Sequence, residues 1–361
     1  MRVLMISIDK GLVGANPLGD VIERHKRYGE FVEVLDIIVL CKRGFKRQQW
    51  SERVRAYPTN SLSRWFYYID GVRLGRKLFG KKGYDLIVTQ DPFVTALIGL
   101  SLKRKFGAKL LIHFHGDFRR FLRSVINQAD AVRVMSLGQK EYLVRAGVAA
   151  DKICVISTPV EVARFEYWKD EEGAVLDSSN RQLFEEYDFV LMVGRKDRVK
   201  DFDTLFRALN LVAERRGRVG LCLLGNYTAV EAYRNGLSPA VKLIAVPFVQ
   251  TKDLPAYYRA CRLTVLSSYS ESFGKVLVEA NASGRPVVAT ATTGAKEIVK
   301  DGHNGFLVNI GDAKALAEKI MYLLDRPEEA KQMGRRGQLL VREKFGDNTR
   351  KVINLWRELV K

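Results

Sequence analysis

The chain has only four cysteines in 361 residues, at 41, 154, 222 and 261, with no CxxC pair and no zinc-type spacing. A disulfide framework and a thiolate metal site are therefore excluded as organising features. Cys154 and Cys222 sit inside apolar, strand-like runs, where a thiol acts as a small core side chain, and this usage fits a reduced, cytoplasmic compartment. No apolar run approaches the length of about 18 residues that a membrane-crossing helix needs. The opening Met1-Arg-Val-Leu-Met-Ile-Ser-Ile8 reads as a short buried strand, without the longer apolar core and small-residue cleavage site of a secretion signal. Internal repeats and low-complexity tracts are absent. The first glycine-bearing loop, Lys10-Gly-Leu-Val-Gly14 through Gly19, does not match G-x-G-x-x-G, so the dinucleotide fingerprint is missing. Gly14 remains a candidate for close backbone approach to a sugar or phosphate.

Apolar residues and positive charge, in contrast, are plentiful. At 47% hydrophobic, the chain can bury two sizeable cores, and its length suits two domains of about 150 residues each. The formal charge is +19, and it is unevenly placed. Residues 1–150 carry 27 Lys and Arg against 13 Asp and Glu, whereas the rest carries 33 against 28. A polyanionic partner for the first half follows: nucleic acid, an anionic membrane surface or a phosphorylated substrate. Strand and helix patterns alternate throughout. Strands are expected near 2–8, 33–40, 85–89, 109–114, 131–134 and 152–156, then 189–193, 219–224, 241–246, 263–266, 286–290 and 306–308. Helical patterns between them predict an α/β protein with two doubly wound, Rossmann-like parallel sheets. The boundary falls near 160, giving domains 1–160 and 161–361, with the last helix a candidate to cross back. In such a pair, ligands are expected at the carboxyl ends of the strands, in the cleft between the sheets.

The most informative segment is Glu271-Ser-Phe-Gly-Lys-Val-Leu-Val-Glu279. It reads as a loop entering a helix over 272–283, with Ser272 as N-cap and the amides of Gly274 and Lys275 open to an anion. If helical throughout, the two carboxylates lie roughly 12 Å apart along the axis, the reach from a sugar across a diphosphate to a ribose. Two glutamates eight apart are most often a solvated face, but Val276, Leu277, Val278 and Ala280 give Glu279 an apolar surround. A second loop, Gly194-Arg195 through Lys200, ends a strand and presents a guanidinium fork and an ammonium, a usual clamp for a diphosphate. By itself it reads equally as a charged turn. Asp201 and Asp203 read as helix-start carboxylates rather than a metal motif. His113 and His115 share a strand face, yet no further ligand type lies nearby to complete a metal site. Hydrogen bonding suits His115, and His113 reads as a core histidine.

Together these segments resemble the retaining glycosyltransferases of family four, which have the GT-B architecture. The resemblance runs through Gly194-Arg195…Lys200, Pro247-Phe-Val249, Glu271…Glu279-Ala, Ser283-Gly-Arg-Pro-Val-Val-Ala289, Gly294…Glu297-Ile-Val and Asp301-Gly-His-Asn-Gly-Phe-Leu-Val308. It covers nearly the whole second domain and, more loosely, the first. It implies that Arg195 and Lys200 bind the donor diphosphate, Glu279 the ribose, and Glu271 with the amides at Phe273 and Gly274 the donor sugar. His115 would contact that sugar near its anomeric centre, and the backbone near Phe248 would hold the base. The implied catalytic set is His115, Glu271, Arg195 and Lys200; Gly14, Gly194, Ser272 and Lys275 complete the implied donor site. The chain departs from the family pattern at Thr293-Gly294, where paired glycines are usual, and at Ser157-Thr-Pro159. The first loop also lacks paired glycines.

The resulting expectation is a metal-independent, retaining transferase without cofactor. It would move sugar from a nucleotide-diphosphate donor to a glycan or lipid-linked acceptor in polysaccharide or glycolipid synthesis. Lys42-Arg-Gly-Phe-Lys-Arg-Gln-Gln-Trp50 and the stripe Leu62, Trp65, Ile69, Val72, flanked by Arg64, Arg73, Arg76 and Lys77, suggest peripheral attachment to the inner face of an anionic membrane. The alternatives are a nucleic-acid-binding protein, for which no recognised module appears, or another GT-B enzyme such as an epimerase or phosphorylase.

Overall fold

The computed structural model describes residues 1–15, 20–115, 122–169, 176, 178–194, 199–225, 235–346 and 348–361. The chain divides into two compact units, Met1–Pro159 with Asp347–Lys361, and Val160–Gly346.

The first unit holds eight strands: β1 (Arg2–Ser7), β2 (Val34–Val39), β3 (Gln48–Gln49), β4 (Val54–Pro58), β5 (Leu86–Thr89), β6 (Lys109–Phe114), β7 (Ala131–Val134) and β8 (Ile153–Val155). Their order is β3-β4-β2-β1-β5-β6-β7-β8, and every pair is parallel except the two-residue β3 against β4. Continuous apolar runs fit strands covered on both faces. On one face Leu4, Ile6, Ile87 and Ile112 are buried together with residues of helices Tyr67–Lys82 and Val94–Phe106. Glycines weaken the helical signal of 62–79, yet Gly71 and Gly75 are where the two helices meet. A Cβ at either would stand 2.6 Å from Ile98 or Leu102. On the other face Val3, Met5 and Leu111 lie under helices Val21–Glu30 and Asn348–Val360, whose Tyr28 and Trp356 rings are 5.2 Å apart. The returning helix is tied to the outgoing chain where Asn348 Nδ2 donates to Ser157 Oγ at 2.8 Å.

The second unit has six parallel strands: β9 (Asp188–Val193), β10 (Val219–Leu224), β11 (Lys242–Val246), β12 (Leu263–Leu266), β13 (Val287–Thr290) and β14 (Gly305–Val308). Their order is β11-β10-β9-β12-β13-β14. Chain direction across the sheet reverses between β9 and β12, so the loops after these two strands diverge around one crevice. Among the described residues, no helix is long and apolar enough to cross a membrane.

The sequence pattern passes over several elements. β4 is a five-residue strand interrupted by Arg55 and closed by Pro58, and its only strong signal is the burial of Val54 and Ala56. Helix Ser178–Glu186 lies in a stretch that reads as merely charged. Phe184 anchors it, 4.7 Å from the Phe189 ring. Helix Thr293–Ile298 is six residues long, below the length at which periodicity speaks.

Candidate functional site

In the second unit the crevice brings Lys200 to Glu271. Gly194 ends β9 at φ +154°, and a Cβ there would lie 3.5 Å from Lys200 Cε, so the lysine stem runs across the bare glycine. The Lys200 loop is fastened to the loop after β12 by two bonds. Tyr269 N donates to Val199 O at 2.9 Å, and Ser267 Oγ donates to Asp201 O at 2.9 Å. Asp201 itself caps helix Phe202–Arg216, accepting from Thr204 N at 3.1 Å, and Asp203 sits in its first turn. With both loops fixed, Lys200 Nζ stands 2.5 Å from Glu271 Oε2, both side chains mostly shielded from solvent.

The helix after Glu271 starts later than the sequence suggests. It runs Lys275–Ala282, and its N-cap is Gly274 at φ +85°, not Ser272. Glycine takes the left-handed region without steric cost, which lets the chain turn sharply into the helix. Glu271 therefore lies outside the helix, and an axial separation from Glu279 no longer applies. Ser272 stays in the loop, while Phe273 is buried with its ring 5.4 Å from Phe345. The loop is also pinned from the side: Gly294 N donates to Glu271 O at 2.8 Å. A Cβ on Gly294 would come within 2.4 Å of Phe273 N, so this helix start sits flush against the loop backbone.

Glu279 is only 3% exposed. One carboxylate oxygen accepts from the Tyr258 hydroxyl at 2.8 Å, and the other lies 3.1 Å from Lys275 Nζ. Tyr258 is wholly buried, and burial, then the Glu279 charge, holds its hydroxyl far above the usual tyrosine range. It is a fixed donor. Sequence reasoning missed Tyr258 because an aromatic on the buried face of helix Leu254–Ala260 looks like any core residue. Phe248, just after β11, is exposed. Arg195 lies outside the described residues.

In the first unit, Gly14 ends a short 3-10 turn, Lys10–Val13, at φ +92°, with the Gln48 side chain 3.4 Å from where a Cβ would be. Trp50, which the sequence groups with exposed cationic aromatics, instead donates its indole N–H to Leu12 O at 2.9 Å. His113 is buried near the end of β6, and His115 follows it, with ring centroids 6.0 Å apart. Arg133 on β7 is the register partner of His113 and donates to Ile156 O and Ser157 O, each at 2.7 Å. Burial, then Arg133 and Arg24, pushes His115 down to about 3; burial and the same cations hold His113 well below the ordinary value. Both rings are thus neutral at pH 7. Gly19, Gly116 and Asp117 lie outside the described residues. No group of three or more His, Cys, Asp or Glu able to hold a metal ion exists among the described residues.

Two family models cover most of the chain: Glycosyltransferase Family 4 matches residues 30–164, and Glycosyl transferases group 1 matches residues 176–339. The chain belongs to the group 1 glycosyltransferases. Among relatives of this transferase, an uncharacterised glycosyltransferase of Methanocaldococcus jannaschii is 27% identical over 75% of this chain and 74% of its own length. The D-inositol 3-phosphate glycosyltransferase of Thermobifida fusca is 33% identical over 53% of this chain and 46% of its own, so the chain spans about half of that relative. The fold matches sucrose-phosphate synthase from Thermosynechococcus elongatus with a TM-score of 0.82 at 23% identity, over 99% of both chains. It matches Anabaena HepE in complex with UDP and glucose at 0.79 and 18%, over 99% of this chain and 100% of that one. The transferase therefore has the GT-B architecture, two parallel-sheet α/β domains.

Proposed function

We propose that this glycosyltransferase moves a sugar, with retention and without a metal ion, from a nucleotide-diphosphate donor to a hydroxyl of a glycan or lipid-linked acceptor. The bond from the anomeric carbon to the diphosphate breaks. The acceptor oxygen takes its place, and the acceptor proton leaves with the departing phosphate. The observation that carries this reading is the Lys200–Glu271 pair, fixed by two loops beside the Gly274-capped helix. Lys200, with Arg195, would neutralise charge as the diphosphate departs, and the dipole of helix Lys275–Ala282 would add to it. Glu271 would accept from sugar hydroxyls, and Glu279, aimed by Tyr258, from the ribose. Neutral His115 would hydrogen-bond the sugar near its anomeric centre. The backbone near Phe248 would hold the base.

Relatives and structural neighbours include proteins described with UDP, glucose or inositol phosphate, which supports a nucleotide-sugar donor here. Lys200→Ala tests the assignment: turnover should fall about 100- to 1,000-fold, the range for losing one preorganised electrostatic donor, with the thermal midpoint unchanged. Near-normal turnover would end it. NMR of the product's anomeric configuration, with and without EDTA, tests retention and metal independence. Donor-alone incubation separates an epimerase.

A peripheral membrane role forms part of the same reading. The stripe expected over 62–72 splits, because Val72 is buried while Leu62, Ile69 and Trp65 are exposed, Trp65 at 91%. The basic loop Lys42–Arg47 is drawn beside it. Lys42 bridges to Ser61, and Asn60, at φ +49°, trades two hydrogen bonds with the Phe45 backbone. An exposed tryptophan among cations suits an anionic lipid surface, each Lys or Arg contributing about 1 kcal/mol.

A further inference from the structure

The second unit has a concave surface unrelated to the Lys200–Glu271 loops, at the opposite, amino-terminal edge of its sheet. This cavity, about 650 Å³, is bounded by Asp188 at the start of β9, Arg262 before β12 and Pro286 before β13. Six cations line it: Arg216, Arg259, Arg262, Arg285, Lys331 and Arg335. Only Asp188 and Glu328 oppose them within the lining.

Part of this charge has structural work. Arg216 and Arg262 both bond Asp188 at 2.8 Å, and Arg216 also reaches Asp325. Arg259 donates to the Phe165 and Glu166 carbonyls at 2.8 Å each, at the end of helix Val162–Glu166, and Arg285 donates to the Arg259 carbonyl. Cations at helix carboxyl ends are favourable. That explanation does not reach Lys331 and Arg335, which are exposed in the amino-terminal half of helix Pro327–Phe345, away from its carboxyl end. Their position is built. A Cβ on Gly334 would come within 2.0 Å of the Gly284 carbonyl oxygen, so the bare glycine lets this helix rest on the turn after helix Lys275–Ala282. That contact places Lys331 and Arg335 in the same cavity lining as Arg285. Two buried groups in the lining also lack partners among the described residues: Ser283 Oγ, on a residue 95% buried, and Arg259 Nε. Burial, with Arg262 and Arg259 nearby, holds Arg285 below the usual guanidinium range, so Arg285 carries its charge at a cost. A polyanion would relieve it.

We propose that this cavity is a second anion site, taking a soluble phosphate-bearing ligand such as a polyphosphate or sugar phosphate, distinct from the donor site. A lipid headgroup suits it less. The large apolar residues in the lining, Leu323 and Leu324, are buried, so it offers no large apolar side chain to enter a bilayer. The two sites share one helix: Lys275–Ala282 starts at the Gly274 loop and ends at Ser283 and Arg285.

The test is calorimetric titration of the full chain with inorganic tripolyphosphate at fixed ionic strength. The proposed donor site would also bind this probe, so four proteins are compared. The expected result is that wild type binds at two sites. Lys331→Glu with Arg335→Glu, both exposed positions, should weaken one site at least tenfold and leave the other. Lys200→Ala should do the reverse, and Ser283→Ala should weaken the first site several-fold. Tripolyphosphate binding by the double variant equal to wild type would overturn the second site, as would loss of all binding in Lys200→Ala. Unaltered turnover in Lys200→Ala would count against the transferase assignment alone.

Discussion

Replacing Gly294 by alanine puts the loop geometry to a direct test. The new Cβ would stand 2.4 Å from Phe273 N, 2.6 Å from Phe273 Cα and 2.7 Å from Glu271 O. All three are backbone atoms, so no side chain can swing aside, and the loop or the helix start must move by about an ångström to restore van der Waals distance. Overpacking of this kind costs about 1–3 kcal/mol. In a unit of this size that should lower the thermal midpoint by roughly 2–12 °C. The larger effect falls on chemistry, since the 2.8 Å bond from Gly294 N to Glu271 O and the Lys200 contact shift together. A misplacement near 1 Å costs about 100-fold in rate. Gly305→Ala is the matched control. Its Cβ would meet the Val287 carbonyl oxygen at 2.4 Å, between β13 and β14 and away from the loop. Both variants should lose stability, and only Gly294→Ala should lose kcat/KM well below its melting range. Differential scanning fluorimetry with initial-rate kinetics reads both quantities. Equal kcat/KM in the two variants would refute the idea that this contact sets the loop.

Other outcomes follow from the same geometry. Tyr258→Phe removes the fixed donor to Glu279, and a hydrogen bond to a charged group contributes about 1.5–3 kcal/mol, so donor KM should rise roughly tenfold or more with kcat less affected. Discrimination against a deoxyribose donor should shrink alongside; unchanged KM and discrimination would count against Glu279 as ribose ligand. Acid should destabilise the first unit early. His25 is pushed down to about 4, His115 to about 3 and His113 well below normal, so all are neutral when folded near pH 5, where the unfolded chain protonates them. Depressed pKa values make that stability complete above about pH 6.5 and progressively lost below it, with a slope of up to about 4 kcal/mol per pH unit for three protons. Urea midpoints flat between pH 7 and 5 would contradict this. Trp65→Asp should reduce partition to anionic vesicles at low salt, with none expected to neutral ones; equal partition to both would remove the membrane reading.

The fold was largely legible in the sequence because both sheets use continuous Val, Ile and Leu runs at regular spacing. β4 was not, since three of its five residues, Arg55, Tyr57 and Pro58, are only partly buried and Arg55 breaks the run. In the site, Glu271 and Glu279 stood out by type and spacing, and Lys200 by its loop. Their partners did not: Tyr258 and Gly294 act through contacts between segments far apart in the chain, which local patterning does not encode. The shift of the helix start from Ser272 to Gly274 has a similar cause. Ser272 has the better capping side chain, but a left-handed glycine gives the sharper entry that packing of Phe273 on Phe345 requires.

The tie between Asn348 and Ser157 has a consequence for biosynthesis. One sheet face of the first unit is completed by Trp356, on helix Asn348–Val360, which follows the second unit in the chain. On the ribosome the part of that face beneath Trp356 must wait uncovered while the entire second unit is translated. A nascent chain halted anywhere before residue 348 would expose the Tyr28 side of its sheet, a surface for chaperones to hold until the last turn of helix arrives.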